Sequence, residues 1–253
     1  MKKLIIIILL LAAELSFAAA SRFEELDKPP EGAHEGQMFF GASVGMGIPF
    51  GDIINAEKNF VKGNIYTFED IGTTKELLVT HLSYDYGLTF EYMPVDYVGV
   101  KSKLKRVVTV QRTVFGSNYQ NWNESIFESF LLTAGPSFHL TNRKMWDITL
   151  SPFLGYYTGK YTATPIADKL IDGYSGSTKR DVSGFSYGAE LSITGYFSGG
   201  LYISLGIEWS SYQLSFSPSY NLTQNGNTFM EGKNSGSLQT ANLVLSAGYA
   251  FDN

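Results

Sequence analysis

The sequence predicts an all-β fold, an eight-stranded antiparallel transmembrane β-barrel in an up-and-down meander, and three observations predict it. Apolar residues alternate with small or polar ones along eight segments, the period-two spacing at which a strand presents two unlike faces. The second face, rich in glycine, serine, threonine and charge, would make a poor dry core, so the apolar face is the outer one, turned to lipid. The connections alternate between short and long, matching the short periplasmic turns and long extracellular loops of bacterial barrels.

The chain begins Met1-Lys2-Lys3, continues with an apolar run from Leu4 to Ala13, and reaches Ala18-Ala19-Ala20 before Ser21. A basic start, a short apolar core and small residues at the cleavage positions describe a secretory signal, cut after Ala20. Residues 1–20 are thus expected to be removed. Residues 21–36, acidic, proline-containing and aperiodic, read as a flexible periplasmic lead, and residues 37–253 as the barrel. The chain holds no cysteine, which excludes disulfides and a lipidated N-terminal cysteine. Taking Lys2, Lys3 and Glu14 from the totals of 19 basic and 24 acidic residues leaves 17 and 23, a net charge of −6. Such a balance argues against nucleic acid, which needs a basic field.

The strands follow in order. Phe40, Ala42, Val44, Met46 and Ile48 share a face against Gly41, Ser43, Gly45 and Gly47. In 78–92, Leu82, Tyr84, Tyr86, Leu88, Phe90 and Tyr92 oppose His81, Asp85 and Glu91. Segment 97–115 is the least regular: Val100, Leu104, Val108 and Val110 share a face with Arg106 and Arg112, two arginines expected near or beyond the outer interface, where the cost of charge falls off. Segments 127–140, 146–158, 184–197, 200–217 and 238–251 repeat the alternation, with Phe130, Leu154, Phe185, Ile207 and Leu245 on their apolar faces. Short turns are expected at Met93–Asp96, Thr141–Met145 and Ser198–Gly199, and long connections at 49–77, 116–126, 159–183 and 218–237. Ile65-Tyr66-Thr67-Phe68 inside the first long connection leaves a ten-stranded count open. Tyr92, Phe138, Trp146, Phe197, Tyr249 and Phe251 cluster near the short turns or the C-terminus and form an interfacial girdle; Tyr97 and Tyr202 lie there too, out of the outward phase.

The lumen faces carry His81, Asp85, Glu91, Lys101, Lys103, Lys105, His139, Asp147, Glu190 and Glu208. Buried charges need partners, and an eight-stranded interior has room for side chains or one small ligand. Lysines on the third strand and acids on later strands therefore predict a cross-lumen ion-pair network, acting either as a stabilising plug or as the lining of a narrow route for a solute. Tyr119, Trp122, Tyr174 and Tyr220 stand in the long connections as candidates for binding a surface ligand. No nucleophile elbow, phosphate loop, dinucleotide fingerprint or metal-ligand spacing occurs, so no enzyme activity, cofactor or metal is expected. Ser137 and His139, two apart on one face, are the one pair suggestive of acyl chemistry.

Leu88-Thr-Phe-Glu-Tyr-Met-Pro-Val-Asp-Tyr-Val-Gly-Val100, the terminal Ser246-Ala-Gly-Tyr-Ala-Phe251 and the Ile48-Pro49 pair closing the first strand resemble the OmpW-like outer-membrane proteins, within the broader OmpA-like barrel group. The resemblance implies a monomeric eight-stranded barrel with a narrow hydrophobic pocket near its outer end, passing small hydrophobic molecules sideways into the membrane. It also implies the barrel-assembly machinery and outer-membrane lipid as partners, with both termini periplasmic. Three function classes stand open: a narrow pore or lateral route for small solutes, a surface adhesin or ligand-binding protein, and a structural envelope barrel with a plugged lumen.

Overall fold

The computed structural model describes residues 32–54, 77–115, 121–141, 145–165, 174–176, 179–224 and 227–251. Eight long strands follow one another: β1 (Met38–Phe50), β2 (Leu77–Val95), β3 (Val98–Phe115), β4 (Asn121–His139), β5 (Trp146–Pro165), β7 (Lys179–Tyr196), β8 (Leu201–Gln224) and β9 (Asn227–Phe251). Each pairs antiparallel with the next, and β9 pairs back onto β1 from Met38↔Phe251 to Phe50↔Gln239, which closes the ring. A ninth, three-residue strand, β6 (Tyr174–Gly176), lies outside the ring on the edge of β8. The segment at 65–68 that left a ten-stranded count open lies outside the described residues.

Alternation decides which face is which. Met46, Leu132, Leu154, Phe185 and Ile207 stand outward and exposed, while their chain neighbours Gly45, Leu131, Gly155, Ser186 and Gly206 turn in. An apolar band of this kind, continuous around a ring without edges, is what a bilayer solvates and water does not. Of the girdle expected at the short-turn end, Tyr92, Phe138, Trp146, Phe197 and Tyr249 are exposed and Phe251 is half-buried; of the two residues expected out of phase, Tyr202 is buried inside but Tyr97, in the turn, is exposed.

The short connections are tight. β2 and β3 join through Asp96–Tyr97, with Tyr97 at φ 68°, one residue beyond the turn expected at Met93–Asp96. β7 and β8 join through a 3₁₀ turn at Ser198–Gly200, where Gly199 and Gly200 both take positive φ, as glycine does without strain. The strands run further than the alternation of apolar outward residues suggested. β8 and β9 are 24 and 25 residues long, against the roughly 9–11 residues that cross a bilayer. Trp122, Tyr174 and Tyr220, expected in loops, therefore lie within β4, β6 and β8; Tyr119 lies outside the described residues.

The leading segment is placed from residue 32 onward, and it docks. Gly36 N donates to Met93 O at 2.8 Å and Met93 N to Gln37 O at 2.9 Å, while Glu35 N donates to Asp96 Oδ1 at 2.9 Å. These bonds lay the segment across the short-turn mouth and bury Ala33 against Phe39, Met93, Tyr196, Tyr202 and Ala250.

Candidate functional site in the lumen

The middle of the lumen is filled by charge. Lys101, Lys103 and Lys105 occupy successive inward positions of β3, and Glu190 of β7 stands directly opposite Glu208 of β8. Two like charges facing each other across a strand pair repel, and Lys103 resolves the conflict by reaching across the lumen to both. Its ammonium pairs with Glu190 and lies 2.8 Å from Glu208 Oε2. Lys101 holds Glu190 Oε1 at 2.9 Å, and Lys105 pairs with Glu208 and approaches Asp85 Oδ1 at 3.9 Å. Asn242 donates to Asp85 Oδ2 at 2.6 Å and Ser210 to Glu208 Oε1 at 2.9 Å. Three ammonium groups thus meet three carboxylates. Lys103, Lys105, Glu190, Glu208 and Asp85 are all buried, so each charge needs the partners it has.

A second constellation lies nearer the short turns. His139 Nε2 is 2.9 Å from Glu91 Oε1 and its Nδ1 is 2.5 Å from Asp147 Oδ2. Ser137 donates to the same Glu91 oxygen, and Thr141 anchors Asp147 Oδ1 through its backbone N–H at 3.2 Å and its hydroxyl at 3.0 Å. Gly99 makes room: a Cβ there would lie 2.4 Å from Ser137 Oγ and 2.5 Å from Glu91 Oε1. The Ser137 and His139 pair is therefore bridged by Glu91, and the serine proton is committed to the carboxylate instead of the imidazole, unlike a nucleophile and its base. His81 occupies an inward position further toward the long connections, opposite Gln111. Nine of the ten predicted lumen residues thus fall into two bonded groups, and His81 stands apart from them along β2.

Two aromatic layers bracket the charge. At the short-turn end Phe39 packs against Tyr202 at 5.6 Å, Tyr196 at 6.2 Å and His139 at 6.4 Å between ring centroids. Toward the long connections Phe127, Tyr157 and Tyr212 meet edge to face at 5.4–5.8 Å, a favoured aromatic geometry. Beyond them Tyr161 packs on Phe216 at 5.8 Å, and the helical residues 52–54 that open the long connection after β1 put Ile53 and Ile54 into a hollow lined by Phe127, Tyr161, Leu214 and Leu238. Sequence reading missed this apolar filling, although strict alternation puts Phe153, Tyr157 and Tyr161 in phase with Asp147. The glycines and serines of the same face made it look uniformly polar.

No family model matches the sequence, and no curated protein sequence matches it. Among solved structures, the chain is similar to the outer membrane protein OprG from Pseudomonas aeruginosa, with a TM-score of 0.49 at 12% identity over 88% of this chain and 99% of that one. It is also similar to Ail, the attachment invasion locus protein of Yersinia pestis, with a TM-score of 0.43 at 15% identity over 86% and 99%. The closed antiparallel ring and its apolar outer band give the chain the fold class of a small eight-stranded outer-membrane β-barrel.

Proposed function

We propose that the protein is an outer-membrane barrel with a sealed lumen and periplasmic termini, and that it acts by recognising a ligand with the part of the barrel raised beyond the membrane. The observation carrying this reading is the stack of filled layers: an aromatic cap, a neutralised set of six charges and a second aromatic layer lie in series along the only axis a through-flowing solute would use. Opening the middle layer would separate buried charges, at several kcal/mol for each ion left unpaired. The raised part is built for display, since β8 and β9 continue for about 45 Å of strand past the length a bilayer needs.

The test is single-channel recording of the refolded, signal-free protein in a planar bilayer. Wild type is expected to be silent; reproducible steps whose ion selectivity shifts in Lys101→Gln/Lys103→Gln/Lys105→Gln would overturn the sealed-lumen reading in favour of a pore. Exchange of the β8–β9 tip around Tyr220, with the barrel still folded, is expected to remove surface binding. One observation favours a second reading, a sideways route for a small hydrophobic solute: the apolar hollow under Ile53 and Ile54. Uptake of an apolar tracer into liposomes, lost on Ile54→Glu, would support that route.

A further inference from the structure

The outer surface carries charge on one side of the ring, at the upper edge of the apolar band. Arg106 and Arg112 of β3, Glu124 and Glu128 of β4, Lys160 of β5 and Asp181 of β7 all occupy outward positions. On β8 and β9 the outward positions above the band hold Gln213, Ser215 and Gln239 instead.

The belt is ordered. Glu128 stands opposite Lys160, and Lys160 opposite Asp181, so signs alternate from strand to strand. Arg106 pairs with Glu128 and donates to the Tyr86 hydroxyl at 3.2 Å; Arg112 holds Glu124 Oε2 through Nε at 3.1 Å and Nη2 at 2.5 Å. Immediately below lie the lipid-facing Leu104, Phe130 and Leu132. The Arg106 side chain stays 38% exposed while holding Glu128, Lys160 is exposed, and a guanidinium is a planar set of donors suited to phosphate oxygens. A simple anion would be repelled by the two carboxylates of the same row. A phosphorylated lipid accompanied by divalent counter-ions would not, because the metal ions bridge phosphate to carboxylate.

We propose that this belt docks a doubly phosphorylated lipid head group of the surrounding leaflet, with its phosphates on Arg106 and Lys160 and its bridging divalent cations on Glu128 and Asp181. The inference rests on the membrane placement proposed above but not on the sealed lumen. Conductance would overturn the sealed lumen alone, and indifference to the phosphorylated lipid would overturn the belt alone.

The experiment refolds full-length mature protein into phosphatidylcholine vesicles with or without diphosphorylated lipid A, each with magnesium or EDTA, and reads the thermal midpoint and the lipid retained on purification. Lipid A with magnesium is expected to raise the wild-type midpoint by about 3–5 °C and to co-purify, with EDTA removing most of the effect. Arg106→Gln/Lys160→Gln is expected to keep its phosphatidylcholine midpoint and lose the lipid A shift. Glu128→Gln/Asp181→Asn, an independent variant should the first fail to refold, is expected to leave a smaller shift that EDTA no longer changes. Equal lipid A shifts in wild type and both variants would overturn the proposal, as would the same shift produced by inorganic pyrophosphate without lipid.

Discussion

Lys103 is the residue on which the lumen network turns, because it alone bonds both carboxylates of the opposed Glu190 and Glu208 pair. Replacing it with methionine leaves two buried, facing carboxylates short of their shared cation, and a loss of about 3–5 kcal/mol is expected. Lys101 bonds Glu190 alone and is partly exposed, so Lys101→Met should cost clearly less, about 1–2 kcal/mol. Urea unfolding in vesicles measures both; equal losses would mean that the network is not organised around Lys103. Glu190→Gln/Glu208→Gln is likewise expected to lower the midpoint, by leaving Lys101 and Lys103 without their carboxylates and Lys105 with Asp85 alone. Gly99 makes a separate point about room. Its Cβ position falls on Ser137 and Glu91, so Gly99→Val is expected to destabilise by about 1–3 kcal/mol through overpacking alone, read from the same unfolding curves.

At the scale of the element, β8 changes its solvent without changing its register. From Ile203 to Trp209 its outward residues are apolar and its inward ones, Ser204, Glu208 and Ser210, are polar; from Ser211 onward the outward residues Gln213, Ser215 and Ser217 are polar, and the inward Tyr212, Leu214 and Phe216 are apolar. The strand reads as a membrane strand below Trp209 and as a water-soluble one above it, since lipid and water reverse which face must be greasy. Arginine substitution is the direct probe. Leu132→Arg, on the lipid face of β4, should cost about 2–4 kcal/mol, whereas Gln213→Arg, on the outward face of β8 above the switch, should stay within about 0.5 kcal/mol. A large cost at Gln213 would place that part of β8 in lipid. Tyr157→Ala, which opens a cavity between Phe127 and Tyr212, should cost about 3–5 kcal/mol.

The whole molecule is a short membrane ring joined to a taller, apolar-cored extension. Two of its three tryptophans mark the boundaries: Trp146 stands outward by the short turns, and Trp209 outward at the switch of β8, packed on Tyr187 at 5.7 Å. Variants keeping Trp146 or Trp209 as the single tryptophan, with Trp122 replaced, are expected to be quenched most by lipids brominated near the head group and least by lipids brominated near the chain ends, as interfacial aromatics should be. Deep quenching of Trp209 would move the upper boundary outward along β8 and shorten the extension.

Alternation alone determined that the chain forms strands, which residues face lipid and which ionisable side chains share the interior, because strand periodicity is local and covalent. It also placed Lys101, Lys103, Lys105, Glu190 and Glu208 on lumen faces before any pairing was known. The tertiary structure decided the rest. Only closure of β9 onto β1 sets the register that brings β3 opposite β7 and β8, and so makes Lys103 the link between two carboxylates. Only the diameter of the ring decides that Phe39, Tyr157 and Tyr212 meet across it and fill the space the small residues leave. The height of the extension, too, escaped the sequence reading, since a strand leaving the membrane keeps its period while lipid gives way to water and the preferred side of every residue is reversed.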